Sequence, residues 1–176
     1  MKNRNPLISH LRTSFCALVI VGALLTLPRA EAGTPQPASG QFFPCFNYAG
    51  PPRQVGENLI ITFNISGTSN GTFTGSLAGT ELNVVHRDGS ITKHGSLVLT
   101  GSITGRSGTG TLQFTYEGIG SAVTGHEVLR GVARQGTGAL SGVYVEETLE
   151  GDVGAPEPGC ALSGTGTYNG QILFAP

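Results

Sequence analysis

The fold is decided by residues 99–114, which read LTGSITGRSGTGTLQF. Apolar residues alternate with polar ones on both sides of a glycine-rich centre, as in two strands joined by a turn. The Gly-Thr-Gly that begins at Gly108 begins again at Gly136 and Gly164, each copy 28 residues after the last. Each glycine would cost a helix interior about 1 kcal/mol relative to alanine, whereas two strands and two turns occupy about that length. The repeat therefore predicts successive β-hairpins with glycine at the bends.

Alternation with a period of two continues on both sides of this segment. Asp88-Gly89 is typical of a hairpin turn. Because a meander of strands removes its edges by closing on itself, we predict an all-β fold, an eight-stranded antiparallel up-and-down barrel. A β-sandwich is the alternative. The predicted strands are residues 59–65, 72–77, 82–87, 91–103, 112–117, 126–134, 143–149 and 162–174.

The N-terminal residues have the pattern of a processing segment. Basic residues precede an apolar run at residues 15–27, and Ala30-Glu31-Ala32 supplies the small residues of a cleavage site. The run is shorter than the about 20 residues that a membrane-spanning helix needs. We predict a signal peptide at 1–32, an irregular proline-rich lead-in at 33–56 and the barrel domain at 57–176, with an uncleaved anchor as the alternative. The protein would then be secreted or periplasmic.

The charge left after cleavage excludes some partners. Residues 1–32 hold four of the ten basic and one of the eleven acidic residues, so the mature chain keeps six basic and ten acidic residues. A net charge near −4 without a basic patch argues against nucleic acid. We expect no membrane span after processing and leave a homo-oligomer possible.

Two cysteines remain in the mature chain, Cys45 and Cys160. In an exported protein they predict one disulfide, which would close a loop of over a hundred residues and contribute roughly 4–5 kcal/mol in the chain-entropy model. Free thiols and a cysteine nucleophile are the alternatives.

A candidate ligand-binding site follows from which residues face inward. If the apolar side of each strand lines the barrel, then His86, Tyr116, Arg130 and Glu147 point into it. Arg130 and Glu147 would be diagonal neighbours on adjacent strands. Such a group could orient the polar part of a lipophilic ligand or act in acid–base chemistry. The alternatives are a structural ion pair or a strand that faces the other way.

Metal and cofactor sites are not predicted. The mature histidines are His86, His94 and His126, and no two lie at ligand spacing on one strand. No glycine-rich segment is followed by a helix, as a nucleotide-binding loop would require.

Four segments carry a family resemblance: FTGSLAG at 73–79, the stretch at 99–114, GTGALSG at 136–142 and GTGTY at 164–168. The chain resembles a family of small, mostly bacterial domains of unknown function, related to the allene oxide cyclase barrel. The resemblance implies an eight-stranded calycin-like barrel, whose relatives include plant cyclases of fatty-acid epoxides and dirigent proteins. No catalytic residue of the cyclases matches a position in this sequence.

Three functions fit these observations. The first is a secreted barrel that binds a small apolar molecule in its interior. The second is a cofactor-independent cyclase or isomerase of the allene oxide cyclase type, so enzymatic activity is left open. The third is an envelope structural or interaction protein with a filled barrel. A cavity above about 300 Å³ would favour a ligand.

Overall fold

The computed structural model describes residues 33–175, so the predicted signal peptide at 1–32 lies outside the described residues. The strands of the described part are β1 Gln36–Tyr48, β2 Arg53–Val55, β3 Asn58–Gly71, β4 Phe73–Val85, β5 Ser90–Ile103, β6 Gly110–Ser121, β7 His126–Gly136, β8 Val143–Val153 and β9 Leu162–Phe174. A single-turn 3-10 helix, Gly138–Leu140, lies between β7 and β8.

Eight of these strands form a closed antiparallel barrel. Strands β3 to β9 pair in sequence order, and β1 pairs with both β9 and β3, which completes the circle. The short β2 pairs with the first residues of β3. The predicted up-and-down barrel is confirmed, and the alternative sandwich is excluded because no free sheet edge remains among the eight long strands.

The prediction of an irregular lead-in at 33–56 is wrong for most of that segment, because 13 of its residues form β1. Proline is disfavoured in a central strand since it has no N–H for the ladder. Here Pro44 lies where pairing with β9 is interrupted, between Phe42 opposite Gly166 and Cys45 opposite Ser163. The barrel nevertheless has eight strands, as predicted. It gains β1, and the two strands predicted at 72–77 and 82–87 are the single strand β4.

The two ends of the barrel are built differently. At the end that we call the closed end, the 3-10 helix places the fully buried Leu140 across the opening. Buried apolar side chains from five strands lie towards the same end of the core: Phe73, Ile103, Leu112, Val143 and Ile172. The opposite end, which we call the open end, is bordered by the β4–β5 and β6–β7 turns and by residues 154–161.

Glycine has two roles in this barrel. The first two Gly-Thr-Gly copies lie at bends, as predicted, with φ of 95° at Gly108 and 58° at Gly138. The third copy does not, because it lies within β9. There a Cβ on Gly166 would collide with the ring of Phe42. The inward glycines of strands therefore leave room for aromatic rings to cross neighbouring backbones.

The disulfide predicted between Cys45 and Cys160 is confirmed. It joins β1 to the segment between β8 and β9 and spans 115 residues of sequence. Asn47 adds a side-chain hydrogen bond of 3.0 Å to the carbonyl oxygen of Gly159. Free thiols and a cysteine nucleophile are thereby excluded for these two residues. Within residues 33–175 no helix has the length and apolar character needed to cross a membrane.

Candidate functional site

The open end holds a chamber of about 390 Å³. We call it the open-end chamber. Its walls are mostly apolar, and Asn83 and Lys93 add polar groups. Inward positions of β3, β4, β5, β8 and β9 supply most of the lining: Ile61, Phe63, Asn83, Val85, Ile91, Lys93, Val153 and Leu162. The β6–β7 turn, residues 122–125, covers one side.

A second, much smaller space lies deeper in the barrel. This inner cavity measures about 50 Å³ and is lined by aromatic rings and three carboxyl groups. One water needs roughly 10–15 Å³ of such volume, so the inner cavity has room for a few waters or a very small group. The aromatic residues are Phe42, Phe46, Phe73, Phe114, Tyr116 and Tyr168, and the carboxyl groups belong to Glu81, Glu127 and Glu147.

Between the two spaces lies a buried ion cluster formed by Glu81, Lys93 and Glu127. The Lys93 ammonium donates hydrogen bonds to Glu81 Oε1 at 3.2 Å and to Glu127 Oε2. All three residues are at most 3% exposed. The Tyr116 hydroxyl donates to the other oxygen of Glu81 at 2.8 Å. Charges this deeply buried persist only when they are paired and hydrogen-bonded.

Burial and charge act in opposite directions on this cluster. Burial lowers the pKa of Lys93, but Glu81 and Glu127 outweigh it, so the pKa of Lys93 is raised overall. Burial raises the pKa of Glu127, which Lys93 only partly offsets. The pKa of Tyr116 is raised by burial and by the nearby Glu81 carboxylate. Lys93 therefore stays protonated at neutral pH and is not available as a nucleophile.

Asn83 presents an unused polar group at the chamber. It lies two residues beyond Glu81 on the inward side of β4 and is 6% exposed. Its Oδ1 atom has no hydrogen-bond partner among the described residues. A buried acceptor without a donor costs about 1–3 kcal/mol. A group that enters the chamber with a donor would remove that cost.

Glu147 is the unpaired carboxyl of the inner cavity. It lies on the inward side of β8, is 8% exposed, and its Oε2 has no partner among the described residues. Gly131 stands opposite on β7 and makes room, since a Cβ there would come within 3.1 Å of the Glu147 side chain. Burial raises the pKa of Glu147 to about 8. Glu147 is therefore mostly a neutral carboxylic acid at pH 7, able to donate a proton.

The structure brings together two of the four residues in the predicted site. Tyr116 and Glu147 both line the inner cavity. Arg130 is on the outer wall, where its side chain is 73% exposed and lies 3.8 Å from Glu146. His86 lies in the β4–β5 turn, bonded to Asn58 and Thr92, and lines neither space. The ligand-binding role of these residues stays a prediction.

The predicted facing of Arg130 is wrong because both sides of β7 carry apolar residues. The apolar Val128 lies on the same side of β7 as Arg130, which led to the prediction that this side faces inward. Leu129 and Ala133, on the other side, are the residues that enter the core. The inward side of β7 therefore includes Glu127 and Gly131. Arg130 lies opposite Thr148, and its outward neighbour on β8 is Glu146 rather than Glu147.

Sequence reasoning missed the ion cluster, although alternation contained the signal. Lys93 is in phase with the apolar residues Leu97 and Leu99 of the same strand. Glu127 is likewise in phase with Leu129. Following the alternation through the charged residues would have placed the cluster inside the barrel.

The histidines do not form a metal centre. No group of three or more His, Cys, Asp or Glu residues within residues 33–175 is placed to hold a metal ion. His94 lies 3.8 Å from Glu117, and His126 lies 3.1 Å from Asp152, all with well-exposed side chains.

The fold and the site define a small antiparallel β-barrel that is plugged at one end and open, with a buried ion cluster, at the other. A solved structure with the same fold is that of a protein of unknown function from the DUF3224 family of Shewanella oneidensis MR-1. The TM-score is 0.61 at 18% identity, covering 81% of this chain and 99% of that one. At this identity the likeness shows the fold alone.

No protein-family model matches this chain, and no curated protein matches it. The resemblance to bacterial domains of unknown function thus has a counterpart at the level of structure. The relation to allene oxide cyclase is not confirmed and stays a prediction.

Proposed function

We propose that this protein binds a small, largely apolar molecule in the open-end chamber, with the polar part of that molecule at Asn83. The observation that carries the proposal is the partnerless Oδ1 of Asn83 at a chamber of about 390 Å³. Pockets for small molecules typically measure about 300–1,000 Å³ and combine apolar walls with a few polar groups. The walls supply the apolar part through Ile61, Val85 and Leu162.

The volumes favour the open end over the deep interior. The inner cavity, at about 50 Å³, lies well below the threshold of about 300 Å³ expected for a small-molecule pocket. Its aromatic lining fills most of the space in the middle of the barrel. The inner cavity can therefore receive at most the tip of a ligand held in the chamber.

A fluorescent probe tests the proposal. N-phenyl-1-naphthylamine is uncharged and becomes fluorescent in apolar surroundings. We expect saturable fluorescence with the unaltered protein, and about tenfold weaker binding in Val85→Trp, where the indole occupies the chamber. Val98→Trp is the matched control, because Val98 is 37% exposed on β5 and lines neither space.

Equal probe affinity in Val85→Trp and in the unaltered protein would reject the chamber as the binding site. Absence of any probe fluorescence would instead favour the filled barrel of a structural or interaction protein. Circular dichroism of both tryptophan variants verifies that the barrel is intact.

We also propose that the protein works outside the cytoplasm, as a secreted or periplasmic protein. The disulfide between Cys45 and Cys160 supports this, since such bonds persist in oxidising compartments. Intact mass measurement of protein from its own host tests the proposal. We expect a chain that begins at Gly33 and lacks free thiols, and a chain that retains residues 1–32 would contradict it.

Acid–base catalysis is a second candidate function, favoured by the unpaired carboxyl of Glu147. Together with the Tyr116 hydroxyl it gives the inner cavity a proton donor beside aromatic walls. A cofactor-independent cyclase or isomerase needs such a group to polarise its substrate. The test is cyclisation of an unsaturated epoxide, supplied as its methyl ester and followed by chromatography. We expect Glu147→Gln to abolish turnover and to leave probe binding in the chamber unchanged, and equal turnover in Glu147→Gln would contradict catalysis by this carboxyl.

A further inference from the structure

We propose that the polar part of the chamber ligand is an uncharged or positively charged hydrogen-bond donor, such as an alcohol or an amine, and that carboxylates are disfavoured. This inference rests on the proposed function and specifies its ligand class. Three observations carry it: the directions of the Lys93 hydrogen bonds, the excess of acidic residues at the open end, and the unused acceptor of Asn83.

Lys93 is the only lysine or arginine that lines the chamber within residues 33–175, and its ammonium is already committed. His126 also lines the chamber, and its ring lies 3.1 Å from Asp152 and 3.5 Å from Glu150. Two hydrogen-bonding directions of the Lys93 ammonium are filled by Glu81 and Glu127. The ring of Phe46 lies 5.6 Å away and covers a further side. A carboxylate ligand would have to share this ammonium with two buried carboxylates, and displacing either of them would leave that partner's charge unpaired.

The ion cluster beneath the chamber is never positive at neutral pH. With both glutamates ionised it carries one net negative charge, and with a proton on one of them it is neutral. Within a low-dielectric barrel a like charge is repelled over several ångströms. The chamber therefore favours a cation or a neutral group over an anion.

The surroundings of the open end act in the same direction. Outside the ion cluster, five acidic residues and two basic residues lie on the turns there or within three residues of a strand end. Such an excess attracts cations and repels anions before contact. The acidic residues are Glu57, Asp88, Glu150, Asp152 and Glu157, and the basic residues are Arg53 and Arg87.

The partnerless Asn83 Oδ1 specifies a donor. This oxygen can only accept a hydrogen bond, and no described residue donates one. A hydroxyl or an amine supplies the missing donor, whereas an ionised carboxylate could only accept from the Asn83 amide NH2 and would leave Oδ1 without a partner. A carboxylate ligand therefore keeps the cost of the partnerless oxygen, and a ligand with a donor removes it.

Three probes with the same octyl chain test the inference by isothermal titration calorimetry at neutral pH: octylamine, 1-octanol and sodium octanoate. We expect the amine and the alcohol to bind and octanoate to bind at least about tenfold more weakly, as one unfavourable charge contact implies. Octanoate binding as tightly as the amine would overturn the inference and leave the proposed chamber intact. Binding of none of the three would reject the proposed function itself.

Two variants locate the selectivity. Glu127→Gln removes one negative charge beside the chamber, so we expect the preference for octylamine over octanoate to narrow by about tenfold. Glu117→Gln is the matched control, since this glutamate is exposed on the outer wall beside His94, and the preference should stay as in the unaltered protein. A preference that is unchanged in Glu127→Gln would overturn the role of the cluster. The probe series on the unaltered protein needs no variant to fold.

Discussion

The closed end and the open end of the barrel use the same inward positions for opposite purposes. At the closed end these positions hold apolar residues, and Leu140 seals the opening with no exposed surface. At the open end the corresponding positions hold Glu81, Lys93 and Glu127, which are equally buried. Bringing each charge out of water costs several kcal/mol before pairing recovers part of it. The closed end is therefore built from stabilising apolar contacts, and the open end retains charged groups that are costly to bury beside a chamber.

This difference supports the proposal that a ligand binds at the open end. Apolar residues of similar volume could replace a buried ion cluster with little loss and often with a gain in stability. Proteins depart from the consistent pattern of apolar interiors mainly at functional sites. The open end is such a departure, and it coincides with the chamber, which is larger than the inner cavity, and with the partnerless Asn83.

The largest expected effect comes from breaking the ion cluster. Lys93→Met leaves two buried carboxylates without their cation, so we expect the free energy of unfolding to fall by about 3–5 kcal/mol. Urea denaturation followed by circular dichroism measures it. The triple variant Glu81→Leu, Lys93→Met, Glu127→Leu removes every charge and should recover most of that loss. A triple variant as unstable as Lys93→Met would show that the cluster stabilises the barrel by its own attraction.

The next effect concerns the closed end. Leu140→Ala opens a void beneath the 3-10 helix, and we expect the free energy of unfolding to fall by about 2–5 kcal/mol. Probe binding at the open end should not change. Val98→Ala, on the outer wall, is the control and should change stability by less than about 0.5 kcal/mol. Loss of probe affinity in Leu140→Ala would contradict the separation of the two ends.

The third effect, which appears only as the pH changes, concerns Glu147, which lies between the ends. Its pKa in the folded protein is raised to about 8, above the ordinary carboxyl value of 4.5. The folded state therefore binds the proton more tightly, and this contribution is complete below pH 4.5 and is lost as the pH rises towards 8. The free energy of unfolding therefore falls by up to about 1.4 kcal/mol for each unit of pH over this range.

Glu147→Gln isolates this slope, because glutamine does not titrate. We expect the difference in unfolding free energy between the two proteins to change across pH 5–8 and to level off above pH 8. A difference that stays constant over this range would show that Glu147 finds a partner in the folded protein.

Much of the fold followed from the sequence, because turns and alternation are local signals. The barrel and the disulfide were predicted correctly, as was the inward facing of Tyr116 and Glu147. Strand β1 was missed because its prolines argue against a strand, and only the gap in the ladder with β9 accommodates Pro44. That gap depends on a partner far along the chain, which local patterns do not reveal.

The site was less predictable for a different reason. The facing of β4 and β7 was inferred from the rule that apolar residues lie inside. In this barrel Leu82 and Val128 are each 39% exposed, while Glu81 and Glu127 are buried. The rule therefore gave the wrong facing for these two strands, whose inward sides carry charged residues, and both strands supply side chains to the site.

The pairing of β1 with both β9 and β3 has a consequence for how the chain reaches its final form. Gln36 pairs with Ile172, so the contacts that shut the barrel join residues near opposite limits of the described chain. Folding slows as contacting residues lie further apart in sequence, and such topologies take milliseconds to seconds. A nascent chain that lacks β9 leaves β1 and β8 with unpaired edges. Synthesis must therefore have passed Phe174 before this barrel can close.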